Sequence, residues 1–373
     1  MKKQMLMINK VLVVLLIIIS IINVGVILGI NSASEQQKKI AAEVARPANI
    51  EIIKISSSCT DCFNIDAVIE QIKAMNVKVT TEKTVDYTAP EGYSIVNRYG
   101  IVKLPSLIIT GEINKSSSLT SFWNSNGKIE NNTFIFTAVK PPYTDATTNK
   151  IAGRVAVTKI YDSSCGNCTD MNRLIADLER LSVKITDKKE LDYNSNESKE
   201  LISKYSIKII PTIVLSSEIA AYEDILPVIL QSSTKETDSS YVMRAIMPPF
   251  RNLTSNKLEG FASLIELNDS SCSECYNVKT HESIARGFGV VLANITMYDI
   301  NSSEGIVLLK KYNITKVPTI LISPEADVYA TFKLVWKDVG TVEKDGWFVF
   351  THPEVFQGQK YKDLANNTVV SVP

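Results

Sequence analysis

Ser57-Ser58-Cys59-Thr60-Asp61-Cys62 recurs as Ser163-Ser164-Cys165-Gly166-Asn167-Cys168 and again as Ser270-Ser271-Cys272-Ser273-Glu274-Cys275. These hold all six cysteines of the 373-residue chain. Working outward, a proline stands 46 residues after the first cysteine each time: Pro105, Pro211 and Pro318. An aspartate falls at plus 27 (Asp86, Asp192, Asp299) and a tyrosine at plus 40 (Tyr99, Tyr205, Tyr312). The period is 106 to 107 residues. Solenoid units run about 20–50 residues, so this period is that of whole domains, each with its own core.

Each copy carries the same pattern of elements. Ile50-Glu51-Ile52-Ile53-Lys54-Ile55 is an apolar run of strand length. After the cysteines, Ile65, Val68, Ile69 and Ile72 recur at helical spacing, as do Met171, Leu174, Ile175 and Leu178. The spacing places each cysteine pair at a strand-to-helix junction, with the preceding serines as helix caps. A second strand (Val77–Thr80), a helix ending near the tyrosine, and a strand after the proline follow. Trp123 with Gly127, and Trp336 with Gly340, read as the start of a closing hairpin, and Pro141-Pro142 and Pro248-Pro249 read as linkers. The pattern predicts α/β domains of βαβαββ order at 50–149, 150–256 and 257–373.

This unit resembles the thioredoxin fold superfamily, three times over. The resemblance implies cis-prolines facing the cysteines at Leu104-Pro105, Ile210-Pro211 and Val317-Pro318, with the residue before each proline free to pair with a substrate strand. It implies catalytic cysteines: Cys59, Cys165 and Cys272 as nucleophiles, Cys62, Cys168 and Cys275 as resolving thiols, with no cofactor beyond the disulfides themselves. The superfamily often buries a carboxylate six residues before the first cysteine. Ile53, Lys159 and Glu266 stand there, which makes Glu266 the candidate proton-transfer group. A serine replaces the tryptophan usual before the first cysteine, and none of the three dipeptides is a common oxidoreductase one.

Local charge works against the thiolates. Asp61 and Glu274 lie between cysteines, and Asp162 and Asp269 lie three residues before them. Negative charge there raises a thiol pKa, and thiolate is the attacking species in exchange. Metal sites are disfavoured, because zinc ribbons set their pairs about 15–20 residues apart. His281 and His352 are the only histidines. His281 occupies a position that is apolar in the other copies, Val68 and Leu174, and reads as a buried helix residue.

Net charge is zero, with no basic run, so no nucleic-acid partner is expected. Val11–Ile30 is an uncharged run with the roughly 20 residues a bilayer span needs. Residues 1–30 are therefore expected to be a cytoplasmic N-terminus and transmembrane signal-anchor, and 31–49 a stalk. The expected location is the cell membrane, single-pass, with the repeats extracytoplasmic. Fully paired cysteines and ten Asn-x-Ser/Thr matches, Asn114 and Asn131 among them, agree with an envelope glycoprotein. The function expected is a thiol–disulfide oxidoreductase or isomerase acting on protein thiols and disulfides of secreted or envelope clients, with an unidentified redox partner. The alternative is a non-catalytic envelope scaffold whose cysteine pairs are structural disulfides.

Overall fold

The computed structural model describes residue 20 and residues 34–373. The run Val11–Ile30 thus lies outside the described residues, Ser20 apart. The membrane location expected from it is corrected: among the described residues, no helix is long and apolar enough to cross a membrane. Residues 34–45 form an exposed helix, α1, in the segment expected to be a stalk.

The first repeat begins with strand β1 (Ala48–Ser56), where Ile50, Ile52 and Ile55 are fully buried. Burying one such side chain contributes about 1.5–3 kcal/mol. Helix α2 (Ile65–Lys73) buries Ile65, Val68, Ile69 and Ile72, the face its spacing predicts, and Asn64 caps it by accepting the Ala67 N–H at 3.3 Å. Strand β2 (Val77–Asp86) runs parallel to β1 at the sheet edge. Helix α3 (Pro90–Tyr99) starts with proline at its first position and stops at Gly100, which has φ +60°. It packs so closely that a Cβ on Gly92 would come within 2.0 Å of the Asp86 carbonyl. A two-residue strand, β3 (Lys103–Leu104), precedes Pro105, and β4 (Ser106–Gly111) follows it antiparallel to β1.

After β4 the chain departs from the simple βαβαββ order. Helix α4 (Ser117–Asn126) intervenes before the hairpin β5 (Gly127–Glu130) and β6 (Thr133–Phe136). Trp123 is therefore a helix residue, fully buried, with its indole N–H donating to Ile113 O at 2.8 Å. The main sheet has five strands in the order β2-β1-β4-β6-β5. Both other repeats give the same order, with 155–161 and 261–268 in the place of β1.

A second sheet completes each repeat. Strands β7 (Tyr143–Asp145) and β8 (Lys150–Ala152) form a hairpin whose inner strand pairs with β3. In the second repeat Phe250–Asn252 and Lys257–Glu259 do the same against Ile209–Ile210; in the third, Lys360–Asp363 and Thr368–Ser371 do so against Lys316–Val317. We call this hairpin the strap. Pro141-Pro142 and Pro248-Pro249 lead into it, so they are parts of the repeats and not linkers. The strap's outer strand carries the first two repeats to 152 and 259. By its contacts the chain forms two compact units, one ending at Ala152 and one spanning Gly153–Pro373, the latter holding the second and third repeats.

Candidate functional site

Each cysteine pair is a disulfide, Cys59–Cys62, Cys165–Cys168 and Cys272–Cys275. The pairs do not open a helix. α2 begins at Ile65, and the matching helices at Asn172 and Thr280, all several residues past the second cysteine. Each pair instead sits on its own turn, which Cys168 N–H and Cys275 N–H close by donating to Cys165 O and Cys272 O. The serine caps expected at these helix starts are therefore absent, the N-cap positions being Asn64, Met171 and Lys279. Ser164 and Ser271 donate their hydroxyls to Asp162 and Asp269, both at 2.6 Å.

The plus-27 aspartates reach back to the same turn. Asp192 accepts the Ser163 N–H at 2.9 Å, and Asp299 the Ser270 N–H at 2.8 Å. In the first repeat Asp86 serves its own strand end, accepting from Thr88.

Leu104-Pro105, Ile210-Pro211 and Val317-Pro318 are all cis, and Leu104, Ile210 and Val317 are fully buried. Their backbones are not free for a substrate. Leu104 pairs with Thr144, Ile210 with Arg251 and Val317 with Lys362. Hydrogen-bonded pairs recur at every second residue of an antiparallel ladder. The Ala146 N–H bond to Val102 O therefore makes Leu104–Thr144 such a pair, with N–H and C=O both engaged. Leu253 to Lys208 and Leu364 to Thr315 fix the same register in the other repeats. The strap also holds the cysteine side: Phe63, Thr169 and Tyr276, each next to a second cysteine, donate their N–H to Pro142, Pro249 and Lys360.

The straps are latched differently. In the second repeat Arg251 pairs with the buried Asp162 at 2.6 Å and also reaches Ser164. In the third, Lys362 pairs with Asp269 at 2.6 Å. Burial resists ionisation of both aspartates. The Ser164 hydroxyl and Arg251 in one case, and Lys362 and the Ser271 hydroxyl in the other, outweigh it and hold the carboxyls below the usual range. The first repeat has Ser56 and Thr144 at these places, and its latch is a 3.0 Å contact between the Thr144 and Ser57 hydroxyls. Thus Asp162 and Asp269, two of the acids expected to oppose the thiolates, are matched by strap cations, whereas Asp61 lies 3.4 Å from the Cys59 sulfur. Lys360 likewise pairs with Glu274 and lowers its pKa. The sequence reading missed Arg251, Lys362 and Lys360, which lie far along the chain from the cysteines they serve.

Glu266 is 1% exposed, and its Oε1 has no hydrogen-bond partner among the described residues. Burial, reinforced by Glu282 and opposed by Lys279, raises its pKa. Lys159, at the equivalent position, is paired with Glu190 at 2.8 Å and donates to Asn172. His281 is buried, as its position suggested, and burial pushes its pKa down to about 4. Its Nε2 lies 2.9 Å from the Tyr276 hydroxyl, which donates to Pro318 O at 2.6 Å. That leaves Nε2 as the protonated nitrogen, donating to Tyr276. No cluster of three or more His, Cys, Asp or Glu suited to a metal occurs among the described residues.

No family model matches the chain, and no curated protein matches it. Solved structures do. The alkylhydroperoxide reductase AhpF of Enterococcus faecalis is 20% identical over 46% of this chain and 81% of its own, with a TM-score of 0.16. ERdj5 is 12% identical over 76% of this chain and 39% of its own, TM-score 0.15. A protein disulfide oxidoreductase from Aeropyrum pernix is 21% identical over 46% and 77%, TM-score 0.15. TM-scores of this size carry no argument. The fold rests on the sheet order and its threefold recurrence: a mixed α/β chain of three repeated, thioredoxin-like units, each bearing one disulfide-bonded cysteine pair.

Proposed function

We propose that the chain is a thiol–disulfide oxidoreductase with three exchange centres, one to each thioredoxin-like repeat. The three repeats are domains close to the expected 50–149, 150–256 and 257–373, with the outer strap strands carrying the first two to 152 and 259. Cys59, Cys165 and Cys272 attack, and Cys62, Cys168 and Cys275 resolve. One observation carries this: in each repeat a four-residue disulfide turn sits beside a cis-proline loop, and the strap bonds to both. No cofactor is required, since the cysteines themselves hold the two electrons. Glu266 serves the third centre as the proton-transfer group expected from its position, and Leu104, Ile210 and Val317 form the client edge once it is vacated. The redox partner is a protein dithiol or a soluble thiol.

A scaffold reading has one observation in its favour: the strap fills the edge where a protein client would bind in all three repeats. Single-turnover exchange separates the two. With the protein reduced and then mixed with a disulfide, Cys59→Ser, Cys165→Ser and Cys272→Ser should each remove about a third of the exchange capacity. Unchanged capacity in all three variants would leave only the scaffold.

A further inference from the structure

The strap excludes a polypeptide strand from the first repeat, yet the disulfide is not sealed. An opening of about 320 Å³ lies beside it, lined by Cys59, Cys62, Pro105, Ser57, Lys54 and Asp66 among others. That is at the lower end of the roughly 300–1,000 Å³ found for small-ligand pockets. Its wall is polar, with a cation and an anion, Lys54 and Asp66, paired to each other at the rim. In the second and third repeats the place of Ser56 is taken by Asp162 and Asp269, which the strap cations Arg251 and Lys362 cover.

We propose that the first repeat, with its strap closed, exchanges with low-molecular-weight polar disulfides of amino-acid or short-peptide type, not with polypeptide disulfides. This rests on the exchange reading above. A zwitterionic disulfide can trade partners with the Lys54–Asp66 pair, its carboxylate going to Lys54 and its ammonium to Asp66. It needs no strand pairing at Leu104, whose N–H and C=O the Thr144 backbone already holds. In the reaction the Cys59 thiolate attacks one sulfur of R–S–S–R, the S–S bond breaks, and RS⁻ leaves and takes up a proton. The Cys62 thiolate then attacks the Cys59 sulfur of the mixed disulfide, releases the second RS⁻ and restores Cys59–Cys62. The protein dithiol loses two electrons and one R–S–S–R becomes two RSH. Excess RSH drives the same steps backward.

The test uses the full chain with Cys165, Cys168, Cys272 and Cys275 changed to Ser, reduced, freed of reductant and mixed separately with glutathione disulfide and with insulin. Glutathione disulfide should react at least tenfold faster. Lys54→Ala should slow that reaction severalfold and leave the reaction with uncharged hydroxyethyl disulfide unchanged. Thr144→Pro, which removes a strap N–H, should raise the insulin rate and narrow the ratio; should that variant not fold, the ratio in the unaltered strap decides alone. Insulin reacting as fast as glutathione disulfide with the strap closed overturns this inference and leaves the exchange reading standing. Reaction with neither overturns this inference and, with it, the exchange reading of the first centre.

Discussion

Burial disfavours the charged forms of Glu266 and His281, an acid and a base held in the third repeat. Glu266 has a raised pKa and an oxygen without a partner among the described residues, so its charged form is costly. The unfolded chain ionises it freely, so the fold gains from this group below about pH 4.5 and loses as pH rises past its folded value. Glu266→Gln should therefore stabilise the unit by about 1–3 kcal/mol at pH 7 and by almost nothing at pH 4, in urea unfolding at the two pH values. His281 has the opposite sign. Its folded pKa is lowered to about 4 from an ordinary 6.5, so the neutral ring favours the fold above pH 6.5. As pH falls from 6.5 to 4, the unfolded chain takes a proton that the folded chain refuses, and up to about 3 kcal/mol is lost. Ring-proton NMR should show His281 titrating near 4, and His281→Gln should flatten that stretch of the stability curve.

The strap is the element that most changes what these disulfides can do. Its latches differ in kind: a buried ion pair in the second and third repeats, two hydroxyls in the first. Removing one partner of a buried pair leaves an uncompensated charge, at a cost of about 3–5 kcal/mol. Losing a hydroxyl contact costs about 1 kcal/mol. Arg251→Ala should therefore destabilise its unit several times more than Thr144→Ala does its own. In hydrogen exchange the Phe63 amide should open faster than those of Thr169 and Tyr276, although all three bond to strap carbonyls. Equal protection of the three would contradict the ranking.

Legibility at this scale followed physical signal strength. β1 and α2 were readable because Ile50, Ile52, Ile65, Val68, Ile69 and Ile72 carry strong period-2 and helical patterns. α4 was not, because Ser-Ser-Leu-Thr-Ser-Phe-Trp-Asn-Ser-Asn is poor in helix formers and buries only Leu119 and Trp123. The cysteine turns were read as helix starts because Ser, Asp and Asn favour turns and caps alike. The straps were missed because strands of three or four mixed residues have no readable period, and their leading Pro-Pro pairs read as punctuation. A signal did exist. Asp145, Asn252 and Asp363 each accept an N–H two residues on, and four residues later Asn149, Asn256 and Asn367 take positive φ. That recurrent turn, Asx then Asn, marks a hairpin in every repeat.

Across the whole molecule, each repeat builds its own sheets and its own core, and its disulfide closes only a four-residue turn. A loop that short confines the unfolded chain little, by about 2 kcal/mol in the chain-entropy account. Reduction of all three should leave the far-ultraviolet circular dichroism unchanged and lower the unfolding midpoint only modestly. A chain whose repeats keep their fold in both redox states is what repeated exchange needs. The most direct test is the redox equilibrium of the intact protein in glutathione buffers, counting alkylated cysteines by mass. Exchange centres should show potentials between about −120 and −270 mV. Three disulfides that stay oxidised to below about −300 mV would be structural, and would contradict the account.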